Sequence, residues 1–180
     1  MPRVIGIAGS LRKGSFNRAL LRAAKELAPE GLEIDIAEIR DFPLYDADVE
    51  AAGMPEVVVA LKERIASADG LLIATPEYNG SIPGVVKNAI DWMSRPAKDI
   101  ARVFGDRAVG LIGASGGPGG TRLGQAAWLP VLRVLGARPF FGKSVYVASA
   151  AQSFDAEGKL TDEKLRGVVS GYVAAFAAFL

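Results

Sequence analysis

The chain has 180 residues, 50% hydrophobic, 23% charged and 8% aromatic, with 21 basic and 20 acidic side chains for a net charge of +1. At roughly 150 residues per domain it reads as a single globular domain over residues 1–180, and its near-neutral charge argues against a nucleic-acid partner. It contains no cysteine and no histidine; this excludes disulfides, thiolate nucleophiles and Ser-His-Asp catalysis, leaves no expected metal site, and points to chemistry carried by a borrowed cofactor.

Residues 4–9 form a short apolar run, expected as a strand buried on both faces. The run is too short for a signal peptide. A helix follows over 17–28, with Leu20, Leu21, Ala24 and Leu27 at helical spacing and Pro29 as its stop. Residues 32–36 alternate apolar with acidic side chains, as a strand near a sheet edge does. Residues 41–55 read as a long loop. Its Asp46, Asp48 and Glu50 lack the glycine and later glutamate of a calcium loop, so they read as solvated acids. An amphipathic helix over 56–68, a buried strand over 70–75 and a helix over 84–93 come next. A strand over 108–114 and a helix over 122–135, interrupted by Pro130, follow. Residues 144–148 are the last strand, with 137–141 leading into it. Residues 161–180 close the chain as a helix capped by Thr161. The apolar tail 167–180 is shorter than the ~20 residues of a spanning helix, so no membrane partner and a cytoplasmic location are expected. Strands alternating with helices predict an α/β fold in three layers, a doubly wound parallel five-stranded sheet. Ligands of such sheets bind beyond the carboxyl ends of the strands.

Three loops leave such ends. The first, residues 9–17, carries the donors Ser10, Ser15 and Asn17 and the cations Arg12 and Lys13 ahead of a helix N-terminus. That suits a phosphate, although a solvated loop capped by Ser15 or Asn17 has the same composition. It matches neither common nucleotide motif: Gly6 and Gly9 are wrongly spaced for the dinucleotide fingerprint, and Ser15 stands where a P-loop needs lysine. The second loop, 76–83, is stiffened by Pro76 and Pro83 and carries Tyr78, Asn79 and Gly80. It suits the rim of a flat heteroaromatic ligand, or else Tyr78 is a packing residue. The third, 115–120, is rich in glycine, either as bare backbone under a ligand or as a mobile surface loop.

Residues 9–17 (GSLRKGSFN), 76–84 (PEYNGSIPG) and 87–92 (KNAIDW) together resemble the NADPH-dependent FMN reductase family, most of all its bacterial chromate and quinone reductase branch. The resemblance spans the chain, except that 115–122 is one residue shorter than the family's usual stretch. It implies a flavodoxin-like fold with strand order 2-1-3-4-5. It places the FMN phosphate on Ser10, Arg12, Ser15 and Asn17, with Phe16 beside them. The isoalloxazine falls against Pro76, Glu77, Tyr78, Asn79 and Gly80, and Ser115, Gly116 and Gly117 complete the site. It further implies hydride transfer from NADPH or NADH to the flavin and on to a quinone, chromate, azo compound or free flavin. A flavodoxin-like electron carrier is the alternative, with little support from a net charge of +1. A homodimer or homotetramer is implied too, with Trp92, Met93 and residues 128–135 as candidate contacts.

Overall fold

Strands β1 (Arg3–Ala8), β3 (Gly70–Ala74) and β4 (Ala108–Ala114) are apolar along almost their whole length. Successive side chains of a strand point to opposite sides, so such strands need cover on both faces. In the computed structural model, which describes residues 1–180, Val4, Leu72, Ala74 and Ile112 enter one core with helices α1 (Phe16–Glu26) and α7 (Glu163–Ala177). Ile5, Ile7, Leu71, Ile73 and Val109 enter the other. That side is covered by α3 (Glu56–Ala66), α4 (Gly84–Met93) and α6 (Arg122–Val134). The sheet is parallel, with β2 (Glu33–Ala37) at one edge, β5 (Arg138–Pro139) at the other, and the order β2-β1-β3-β4-β5. This is the expected three-layer flavodoxin-like architecture, with the reversal of strand order at β1 and β3.

Several elements differ from the expectation. The fifth sheet position is filled by two segments: β5 (Arg138–Pro139) pairs with Ala108 and Val109, and β6 (Val145–Val147) with Ile112 to Ala114. The strand breaks between them where Phe140 turns in to pack on Tyr172, Phe176 and Phe179, with ring centroids 5.3, 5.6 and 5.3 Å away. The loop 41–55 contains a helix, α2 (Ala47–Ala52), that buries no residue. Capping supports it, not an apolar stripe: Asp46 accepts from Asp48 N at 2.8 Å, and Glu50 accepts from the Tyr45 hydroxyl at 2.8 Å. A short turn of helix, α5 (Ile100–Val103), precedes β4. α6 runs unbroken through Pro130, because the ring lies on the exposed face, where the freed carbonyl four residues back reaches water. The cap of α7 is Asp162, which accepts from Leu165 N at 3.0 Å, while Thr161 bonds to Ser153 O instead. Trp92, Met93 and Trp128 are fully buried and therefore unavailable as subunit contacts. Indole N–H groups go to Pro43 O from Trp92 and to Thr75 Oγ1 from Trp128.

Lys62 is the only charged residue counted among the buried ones. Its Nζ donates to Arg95 O and, at 2.6 Å, to Asp99 Oδ2, tying α3 to the segment before α5. That hydrogen bond holds the Asp99 carboxyl below the ordinary range, against its partial burial. At the β2 edge, burial pushes the Asp35 carboxyl up, but hydrogen bonds from Arg3 and Arg64, at 2.6 and 3.0 Å, outweigh it and leave it lowered. A lowered carboxyl contributes stability that is present above its unfolded value, near 3.8, and lost as pH falls through the folded one. Lys62→Met is expected to cost about 2–4 kcal/mol at neutral pH and to lessen the further loss in acid. Lys87→Met, which breaks an exposed pair with Asp91, is expected to cost under about 1 kcal/mol. Urea midpoints at neutral and acid pH check both, and equal costs for the two variants would contradict this reading.

Candidate active site

The sheet delivers three loops to one edge by extending its own ladder. Gly9 N donates to Ala74 O (2.8 Å), Thr75 N to Ile112 O (2.9 Å) and Ser115 N to Val147 O (2.9 Å). Each loop therefore departs one residue beyond its strand, at a common level.

The first loop closes on the start of α1. Ser15 N donates to Arg12 O (3.1 Å), and Ser15 Oγ caps the helix by accepting from Arg18 N (3.3 Å). A capping hydroxyl keeps its proton for a ligand. The N–H groups of Phe16 and Asn17, in the first turn, have no intrahelical acceptor. Arg12 lies over the Phe16 ring, 5.6 Å from its centroid, and donates to Gly14 O (3.0 Å). Arg40 donates to Leu11 O and holds the loop from the far side. Asn17 is deeply buried: its carboxamide donates to Ala114 O (2.8 Å) and accepts from Ala114 N (2.9 Å), leaving one amide N–H.

The second loop is a tight hairpin. Tyr78 and Ser81 exchange backbone hydrogen bonds at 3.2 and 3.0 Å, and Asn79 (φ 52) and Gly80 (φ 70) occupy the centre. Two positive φ angles make a type I′ turn, for which Asn-Gly is the favoured pair; that dipeptide was the readable signal. Tyr78 is 50% exposed, so it is not a core residue, and its hydroxyl stands 3.5 Å from Ser10 Oγ across the gap between the loops. Glu77 turns the other way. Its Oε2 accepts from Gly124 N (2.8 Å), in the first turn of α6, whose own cap residue Thr121 makes no side-chain cap bond. Glycine at 124 eases this approach: a Cβ there would sit a tight 3.2 Å from Pro76 O and from Glu77 Cβ.

In the third loop, Gly117 N donates to Ser115 Oγ (3.1 Å), and Ser149 N and Ala150 N donate to Gly117 O and Ser115 O (2.9 and 3.0 Å). Nothing in the protein lies within 4 Å of a Cβ built on Gly116.

One cleft of about 160 Å³ joins the loops. Ser10, Arg12, Ser15, Phe16 and Asn17 line it from the first, Pro76, Glu77 and Tyr78 from the second, and Ser115 and Gly116 from the third. Asn79, Gly80 and Gly117 lie outside the lining. Ala114 lines the cleft as well, and nothing in its residue type announces it. Gly124 was also missed, although a helix starting just after a glycine-rich run signals free N–H groups that a carboxylate can cap. Donors and positive charge at the α1 end fit a phosphate dianion, and the bare backbone at Gly116 fits a flat ring, so the residues present fit FMN. Glu77→Ala is expected to lose about 0.5–2 kcal/mol by uncapping α6, and Glu77→Gln less than half of that, since an amide oxygen still accepts. Chemical denaturation of the two variants measures this, and equal losses would contradict the capping role.

The profile of the family described as NADPH-dependent FMN reductase matches residues 2–174. An NAD(P)H-dependent FMN reductase of Pseudomonas aeruginosa, PA1204, is 43% identical over 173 residues, covering 96% of this chain and 92% of the relative. An NAD(P)H:quinone oxidoreductase of Solanum tuberosum is 40% identical over 183 residues, covering 98% and 91%. Among solved structures, FerB, a flavoenzyme NAD(P)H:(acceptor) oxidoreductase from Paracoccus denitrificans, superimposes with a TM-score of 0.88 at 37% identity, over 99% of this chain and 96% of that one. No helix is long and apolar enough to cross a membrane. With a profile match over nearly its whole length and relatives of this identity, the chain belongs to the NADPH-dependent FMN reductase family.

Proposed function

We propose that the protein is an FMN-dependent NAD(P)H oxidoreductase whose acceptor is a quinone, with chromate, azo compounds and free flavin as further acceptors of the same chemistry. The observation that carries this reading is the meeting, in one cleft, of a phosphate cradle at the α1 N-terminus with a stiff loop and a bare-backbone loop. FMN, when bound, supplies the electron chemistry, taking a hydride from NAD(P)H and passing two electrons to the acceptor. Ser10, Ser15 and the remaining N–H of Asn17 donate to the phosphate, and Arg12 neutralises it beside Phe16. Pro76, Glu77 and Tyr78 border the ring, with Asn79 and Gly80 at the rim, and Ser115, Gly116 and Gly117 lie along its other edge. Glu77 acts as a brace, holding the hairpin against α6. No side chain has to move a proton, which accounts for a site without histidine or cysteine.

The cleft, open on one side and about 160 Å³ in volume, is smaller than the ~300–1,000 Å³ of a site that buries a small ligand. The ring end therefore lies over an open rim, and a second copy of the chain covers it in a homodimer or homotetramer. Exposed apolar side chains on α6 and beyond it support this: Leu123 is 62% exposed, Val134 80% and Phe141 70%. Val134 lies within the expected contact region 128–135, and Leu123 and Phe141 take the place of the buried Trp92, Met93 and Trp128 as contact candidates. A cytoplasmic location is supported by the reductant, since NAD(P)H is a cytoplasmic pool.

Arg12→Ala and Ser15→Ala are each expected to weaken FMN binding by about tenfold or more, as the loss of a charge-assisted or buried partner implies. Unchanged affinity in both would remove the phosphate assignment. Tyr78→Ala is expected to lower turnover several-fold with little change in the thermal midpoint, because the ring is half exposed. The function itself is tested by loading FMN, desalting, and adding NADPH without oxygen. Flavin absorbance near ~450 nm is expected to persist, bleach, and return on addition of a quinone. Retained flavin that neither nucleotide bleaches would make the protein an electron carrier instead.

A further inference from the structure

Arg12, Ser15 and Phe16 line the flavin cleft and also a second cavity, of about 360 Å³. Lys13, Gly14 and Arg22 continue its wall on one side, and residues 155–158 form the other. That second wall is braced. Asp155 Oδ1 accepts from Glu157 N (3.1 Å) and Lys159 N (2.7 Å), and Gly158 N donates to Asp155 O (3.0 Å). Arg22 rests on this turn. A Cβ on Gly158, which has φ +79, would come within 2.8 Å of Arg22 Nη2, so glycine both makes the turn and leaves room for the guanidinium.

Ion pairing sets these cations apart from their neighbours. Arg18 is paired with Glu38 at 2.5 Å, and Arg166 with Glu26 at 3.0 Å. Lys13 and Arg22 line the cavity without a carboxylate partner, and Arg12 gives its guanidinium only to Gly14 O. Two acids share the lining. The Asp155 carboxylate is engaged by two backbone N–H groups, and Glu157 stands without a partner. Two uncommitted cations, Lys13 and Arg22, around one concave site, with Arg12 at its border with the cofactor cleft and one uncommitted acid against them, favour a compact dianion with several acceptor oxygens.

We propose that this cavity binds the phosphomonoester of a substrate seated beside the flavin. Resting on the flavin-reductase reading above, the inference adds a second phosphate site separate from the cofactor's own. Two substrates carry that group, NADPH at its 2′-phosphate and a free FMN acceptor at its 5′-phosphate, whereas NADH carries none. Arg22 and Lys13 supply the charge, Arg12 is shared with the cofactor cleft, and Glu157 opposes binding.

The test uses the FMN-loaded protein with Arg22→Gln and Glu157→Gln. Calorimetric titration with 2′,5′-ADP reads binding apart from turnover, and KM is measured for NADPH, NADH and free FMN as acceptor. Arg22→Gln is expected to weaken 2′,5′-ADP and to lower the NADPH-to-NADH preference about tenfold, and Glu157→Gln to shift both the other way. Shifts of that pattern assign the 2′-phosphate; opposite shifts confined to the KM for free FMN assign the acceptor's phosphate. Constants equal to wild type in both variants, for every ligand, overturn the proposal. Failure of the underlying reading looks different: wild-type protein would then retain FMN without oxidising either nucleotide, while the 2′,5′-ADP titration would still report on the cavity.

Discussion

Asn17 completes a ladder that the sheet itself leaves unfinished. β3 bonds to Ile112 on one side of β4, and Ala114, two residues further along, presents its N–H and C=O to the same side. No strand is there to meet them, because β3 ends at Ala74 and the chain turns off into the second loop after Thr75. The Asn17 carboxamide fills the slot, accepting at 2.9 Å and donating at 2.8 Å. A net contribution of roughly 0.5–1.5 kcal/mol per bond understates its importance, since an empty slot would strand two buried backbone groups at a cost of about 1–3 kcal/mol. The same contact sets the first turn of α1 against the start of the third loop. The α1 end of the cleft and its bare-backbone side are thus spaced by one side chain.

From this joint the division of labour in the molecule follows. Strands buried on both faces form a scaffold that carries no chemistry, and their ladder ends at one level. The loops beyond that level hold donors, positive charge and backbone, but no group suited to proton transfer at neutral pH. A scaffold of this kind selects for a cofactor that brings its own reactivity and needs from the protein only position and charge compensation. The bracing is distributed: Glu77 on the α6 N-terminus, Arg40 on Leu11 O, and Trp128 on the Thr75 hydroxyl.

Much of this was legible in the residues. The apolar runs at 4–9, 70–75 and 108–114 report burial on both faces, and that alone yields three layers and a common loop edge. The chemistry of Ser15 and Asn17 was legible as hydrogen-bonding capacity, but not its destination: sequence does not say that Asn17 spends two of its bonds on a residue 97 positions away. Glu77 is the same case, a loop carboxylate whose partner lies on a helix 47 residues on. Local signals misled where tertiary packing or solvent decided the outcome. Pro130 reads as a break, yet its exposed position makes the lost bond cheap. The break in the fifth strand comes from an aromatic cluster that Phe140 joins with the last helix. The helix at Ala47–Ala52 has no apolar stripe to betray it, only a cap. Trp92 and Trp128 read as candidate subunit contacts and lie wholly inside.

The most direct test of the joint is the FMN dissociation constant of Asn17→Ala, measured by flavin fluorescence quenching alongside its unfolding free energy. The account predicts a protein that still unfolds cooperatively, less stable by about 1–3 kcal/mol, with FMN affinity reduced at least tenfold because the two sides of the cleft lose their spacing. A variant destabilised to that extent but binding FMN as tightly as wild type would contradict it, and would leave Asn17 as a core contact with no part in forming the site.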